Sequence, residues 1–116
     1  MQTSGHSLIS STDVNGTAVY SPSGEHLGTI DHLMIEKVSG KVTYAVMAFG
    51  GFLGIGEDHY PIPWGKLSYD ITQDGYVTDL TREQLEGAPQ HSADWYRDRD
   101  WEERTHRHYG VHPYWM

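Results

Sequence analysis

Gly50-Gly51-Phe52-Leu53-Gly54-Ile55-Gly56-Glu57-Asp58-His59-Tyr60-Pro61-Ile62-Pro63-Trp64 sets four glycines among three bulky apolar residues, then enters a short run holding two prolines. Glycine at this density opens backbone angles closed to other residues, so the first half reads as a connection. Proline cannot donate to a sheet ladder, so Tyr60 to Trp64 reads as a strand confined to an edge or an end. The apolar Phe52, Leu53 and Ile55 need a purpose in such a connection. They either plug one end of a β core or form a contact surface. Trp64, closing the strand, is expected to cap that core.

The flanks carry the same β punctuation. Thr17 to Tyr20 is a short strand before the turn Pro22-Ser23-Gly24. Leu27 to Val38 is a longer one. Its apolar residues change parity, with Ile30 and Met34 on one side and Leu33 and Ile35 on the other, which predicts a bulge near Asp31-His32. Ser39-Gly40 predicts a two-residue hairpin turn. The return strand Lys41 to Phe49 is apolar on both faces, as in a central strand. Lys66 to Thr72 and Tyr76 to Leu80 form a second hairpin around Asp74-Gly75. At Thr81 the pattern changes. Thr81-Arg82-Glu83-Gln84 has the form of a capping box, opening a short helix that Gly87 and Pro89 end. Ser92 then caps a longer helix over Ala93 to Tyr109, closed by Gly110, with Asp100–Arg104 and Glu103–Arg107 spaced to pair. The expected organisation is a flexible segment at 1–12, a β domain at 13–80 and a helical, aromatic extension at 81–116, with helix only after Thr81.

Val19-Tyr20, Gly24-Glu25-His26-Leu27-Gly28-Thr29-Ile30, Leu33-Met34-Ile35, Gly40-Lys41-Val42-Thr43-Tyr44-Ala45-Val46, the glycine loop and Pro61-Ile62-Pro63-Trp64 follow one another in an order that resembles the PRC-barrel family. That family's small barrel occurs in the cytoplasmic part of the photosynthetic reaction-centre H subunit and in the C-terminal half of a ribosome maturation factor. The match covers about residues 8–80. The chain looks most like the stand-alone bacterial members, which also end in aromatic segments such as Tyr109-Gly110-Val111-His112-Pro113-Tyr114-Trp115. The resemblance implies an all-β fold, a small PRC-like β-barrel with a short helical C-terminal extension. It also implies a docking or adaptor module rather than an enzyme. Neither relative's own function is carried over, since the chain shows no membrane-spanning helix and no additional N-terminal domain.

Composition narrows the partners. The 116 residues carry a formal charge of −8 with histidine neutral. That disfavours nucleic acid and anionic membrane, which attract positive surfaces. No stretch is apolar enough to insert into a bilayer, and Met1 to Thr12 lacks the apolar core of a signal peptide. The chain has no cysteine, which excludes disulfides and thiolate ligands and agrees with a cytoplasmic location. The glycine loop lacks the Gly-Lys-Ser/Thr ending of a nucleotide loop and runs into two carboxylates.

Eight histidines remain as candidates for metal or proton chemistry. His106, His108 and His112 crowd the C-terminal segment, with His91 nearby, but without zinc-enzyme spacing. Asp31-His32 and Asp58-His59 are adjacent pairs. Neighbours on a strand face opposite ways and form no base–orienter pair unless the strand is bulged. No catalytic, cofactor or metal residue is therefore assigned, and no cofactor is expected. The residues expected to make contacts are Phe52, Leu53, Ile55, Trp95, Trp101, Tyr109, Tyr114 and Trp115, a set rich in the aromatics of interface hot spots. The same rings would equally serve to pin a terminal helix. The resulting expectation is a homodimer that docks a further, unidentified protein. The alternative is a small-ligand or metal-binding protein using the histidine-rich tail.

Overall fold

Alternation of apolar residues along short segments, broken by Gly, Asp and Pro, produces six strands among the described residues. The computed structural model describes residues 8–49 and 58–116. Two compact units divide the chain, residues 1–79 and 80–116.

The first unit opens with a single helical turn, α1 (Ser11–Val14), capped by the Ser10 side chain. Then come β1 (Ala18–Tyr20), β2 (His26–Ile35), β3 (Val42–Phe49) and β4 (Asp58–Pro63). A 3-10 turn, Trp64–Lys66, leads to β5 (Ser68–Asp70) and β6 (Gly75–Val77). The expectation of helix only after Thr81 is thus corrected at two places. Ser10 accepts from Thr12 N and nucleates α1, and the Leu67 N–H closes the 3-10 turn on the Trp64 carbonyl at 3.0 Å. No helix interrupts residues 27–49.

The strands form one six-stranded sheet in the order β4-β3-β2-β1-β6-β5, antiparallel except for the parallel β1–β6 pair. The fold is therefore mostly β, with an open hydrogen-bond ladder among the described residues. Its two edge strands, β4 and β5, are consecutive in the chain. Five residue steps from Pro63 to Ser68 reach at most about 17 Å. Five strand spacings in a flat sheet would separate the edges by about 24 Å. The sheet must curl, and the short linker holds its edges near each other.

β3 is the central strand: Thr43 to Phe49 are all buried. Val19, Leu27, Ile30 and Ile62 complete the core around it. Gly28 is required here, because a Cβ would overlap the Ala48 carbonyl oxygen on the neighbouring strand. Trp64 is half-buried, its ring 5.5 Å from that of Tyr76. The β2–β3 turn is longer than two residues. Glu36 N donates to Lys41 O at 2.8 Å, leaving Lys37 to Gly40 as a four-residue loop with Gly40 left-handed at φ 78°. Asp74 takes the left-handed place in the β5–β6 turn, at φ 52°.

In the second unit α2 (Arg82–Glu86) starts with the reciprocal capping box of Thr81 and Gln84 and stops at Gly87. The long helix expected from Ala93 is divided. Trp95–Arg97 is a 3-10 turn, and α3 runs only from Arg99 to Tyr109. Asp98 causes the break, since its carboxylate accepts from Trp101 N at 3.1 Å and so acts as the N-cap in place of Ser92. Gly110, at φ 71°, closes α3 as expected.

Candidate functional site

In the first unit, the most chemically loaded group sits where β2 is irregular. The ladder steps from Ile30↔Met47 to His32↔Val46, so Asp31 is the extra residue of a bulge. The bulge cancels the alternation that would send Asp31 and His32 to opposite faces. His32 Nδ1 donates to Asp31 Oδ2 at 2.7 Å. The other oxygen, Oδ1, stands 3.8 Å from His59 Nε2 on β4. All three side chains are about half exposed. The hydrogen bond from His32 holds the Asp31 carboxyl below its ordinary value. Burial opposes this in part, and the nearby charges of His32 and His59 add to the lowering.

An Asp–His pair is the orienting half of a general base. A base also needs a proton to take. Among the described residues, His32 bonds only Asp31. No group of three His, Cys, Asp or Glu side chains among them is placed to hold a metal ion. Sequence reasoning had both halves of this cluster, the parity change and the adjacent pair. It lacked His59, which only the β3–β4 register brings alongside.

In the second unit the aromatic residues separate into two groups. Trp95, Trp101 and Tyr109 are buried. Trp95 and Trp101 lie with ring centres 5.0 Å apart, His91 meets both edge-on, and the Trp101 indole N–H donates to Pro89 O at 3.2 Å. These rings form the unit's own small core. Tyr114 is 37% exposed and Trp115 is half-buried. The Arg99 guanidinium lies over the Trp115 ring at 3.8 Å and 5.9 Å from that of Tyr114, while its Nε is 3.4 Å from the buried Glu102 carboxylate. Arg97 lies 5.5 Å over the exposed Tyr96. Arginine therefore stacks on aromatic rings at two exposed places in this unit. Phe52, Leu53 and Ile55 lie outside the described residues.

Two of the three tail histidines, His106 and His108, are committed locally, and His112 is exposed. His106 is 2% exposed, and its Nδ1 donates to Glu102 O at 2.7 Å. His108 Nε2 donates to Gln84 O at 2.8 Å, tying α3 to α2. An open groove of about 360 Å³ runs beside His106, lined by Glu103, Arg107, Val111, Pro113, Trp115 and Met116. No helix among the described residues is long and apolar enough to cross a membrane.

Three comparisons bear on these features. The family model described as the PRC-barrel domain matches residues 6–85. An uncharacterized protein of Deinococcus radiodurans is 25% identical over 79 residues, which is 68% of this chain and 28% of that protein. Among solved structures, a putative 16S ribosomal RNA processing protein RimM from Pseudomonas aeruginosa aligns with a TM-score of 0.43 and 20% identity, over 72% of this chain and 50% of that one. The chain thus spans half or less of the length of either relative. With a family match across most of its length, running from residue 6 into α2, this chain belongs to the PRC-barrel domain family.

Proposed function

We propose that this chain is a non-catalytic docking module. In this reading the curled sheet is the wall of a small β-barrel, and the outer side of the C-terminal unit is the face that meets a protein partner. The chain works as a homodimer in the cytoplasm, a location in keeping with its lack of cysteine. The observation that carries the reading is the Arg99 guanidinium stacked at 3.8 Å on Trp115, with Tyr114 exposed beside it. Arginine fixed on an aromatic plane loses little freedom on binding and offers both apolar area and donors, the combination enriched in contact hot spots. Trp95, Trp101 and Tyr109 support that face from within.

The test compares proteins retained from the native cell by the wild-type chain and by Tyr114→Ala/Trp115→Ala. A partner retained by the first and lost by the second supports the reading. Identical retention, with the variant still folded, overturns it. The metal-binding alternative has its own test. His106 and His108 each commit one ring nitrogen to a backbone carbonyl, so calorimetric titration with zinc is expected to show no sub-micromolar stoichiometric binding. Such binding, abolished by His106→Ala or His108→Ala, would favour the alternative.

A further inference from the structure

The first unit is acidic, with three lysines and no arginine against nine carboxylates. Two of those lysines, Lys37 and Lys41, flank the β2–β3 loop, and the third, Lys66, pairs with Asp79 at 3.3 Å. Between Lys37 and Lys41 stands Val38, 97% exposed. The loop is fixed in shape. Gly40 N donates to Glu36 O at 2.9 Å, Ser39 bonds the Glu36 carboxylate, and Lys41 N donates to Ser39 Oγ at 3.2 Å. Glu36 is thereby held by the loop's own serine, and among the described residues Lys37 and Lys41 make no ion pair. The result is a rigid apolar knob between two uncompensated positive charges.

The β5–β6 turn is its chemical complement. Ile71 is 64% exposed and stands between Asp70 and Asp74. This turn too is held in shape: Thr72 N donates to Asp70 Oδ1 at 2.9 Å, and the Tyr69 hydroxyl donates to Asp74 Oδ1 at 2.6 Å. Neither carboxylate is matched by a cation among the described residues.

Topology puts both turns at one end of the sheet. β1 runs antiparallel to β2, β6 parallel to β1, and β5 antiparallel to β6, so β2 and β5 point the same way. Gly75 lies at the level of Ala18, which pairs with Thr29. β2 continues past Thr29 to Ile35, six residues or about 20 Å further. The knob is the tip of an arm that reaches beyond the acidic turn of its own chain.

We infer that the basic knob of one chain (Lys37, Val38, Lys41) docks on the acidic turn of a second copy (Asp70, Ile71, Asp74), and reciprocally, about a two-fold axis. The proposal deepens the homodimer reading by naming its interface, and it leaves the arginine–aromatic face of the C-terminal unit for a different protein. Placement of both patches at one end lets a single two-fold operation satisfy both contacts at once, which closes the assembly. Opposite charges at the rim and an apolar residue at each centre follow the usual anatomy of a specific contact. Because each contact is small and its charges are exposed, the dimer should be weak and salt-sensitive.

Sedimentation equilibrium of the full chain at low and high salt tests this. Dimerisation in the micromolar range is expected to weaken about tenfold or more between 50 and 500 mM salt. Lys37→Glu/Lys41→Glu should weaken it by a similar factor, as should Asp70→Lys/Asp74→Lys. Mixing the two variants should restore association, since every contact in the mixed dimer again pairs opposite charges. If the aspartate variant fails to fold, Val38→Asp, at a side chain without internal contacts to lose, should still weaken the wild-type dimer. A monomer at all concentrations overturns the proposal. So does a dimer indifferent to salt, to Val38→Asp and to the lysine reversal. A dimer lost with Tyr114→Ala/Trp115→Ala but kept by the lysine variant would move the interface to the C-terminal unit and overturn it as well.

Discussion

Single atoms decide several positions. Gly28 lies where β2 and β3 approach most closely, and any Cβ would meet the Ala48 carbonyl rather than a side chain able to move. Gly28→Ala should therefore cost about 3 kcal/mol or more in denaturant unfolding, the scale of overpacking in a core that cannot relax. Asp31 supplies a pH prediction. Its folded pKa lies below the ordinary value because of His32, so its contribution to stability is complete above about pH 4 and lost as pH falls through the lowered value. Carbon-detected NMR titration should find the Asp31 carboxyl still ionised at pH values where a free aspartate side chain has protonated. His32→Ala should return it towards the common range. Tyr69 titrates in the opposite sense. Its hydroxyl donates to Asp74, which raises its pKa. That bond is present below about pH 10 and lost only at higher pH, so Tyr69→Phe should remove one late-ionising tyrosine from the ultraviolet titration.

Among the elements, local chemistry sets boundaries and packing sets lengths. The capping box at Thr81 is fully formed, and Thr81→Ala should cost about 1 kcal/mol of stability. Asp98→Ala should cost a similar amount, because it removes the acceptor for Trp101 N; an equal loss with Ser92→Ala instead would restore the longer helix expected from the sequence. Trp64 rests half-buried on Tyr76, so Trp64→Ala should lose about 2 kcal/mol, less than the 3–5 kcal/mol of a fully buried tryptophan. The capping box was legible because its residues are contiguous and the hydrogen bonds reach only three positions. Asp98 was not, because an aspartate inside a helical pattern can equally sit on its surface.

For the whole molecule, charge distribution matters more than total charge. The formal charge of −8 is a property of the whole chain. It does not reveal that two of the first unit's three lysines share one loop tip. The isoelectric point of the sequence lies near 5.3, so solubility should fall as pH drops from about 7 towards it and net charge shrinks. Turbidity measured against pH at fixed salt checks this. A solubility that stays flat over that interval would show that net charge does not govern it.

The sequence by itself determined the strand-and-turn order, the bulge at Asp31, the capping box, the C-terminal Gly110 and the family. These rest on interactions a few residues long or on spacing along the chain. Tertiary structure alone decided which aromatics turn inward, since Trp95 and Trp101 are indistinguishable from Tyr114 and Trp115 in composition. It also decided that His59 stands beside Asp31 and that a knob of lysines and a turn of aspartates share one end of the sheet. Those facts depend on strand order and register, which bring together residues tens of positions apart. No local pattern encodes that proximity, because it is fixed only when the core around β3 closes.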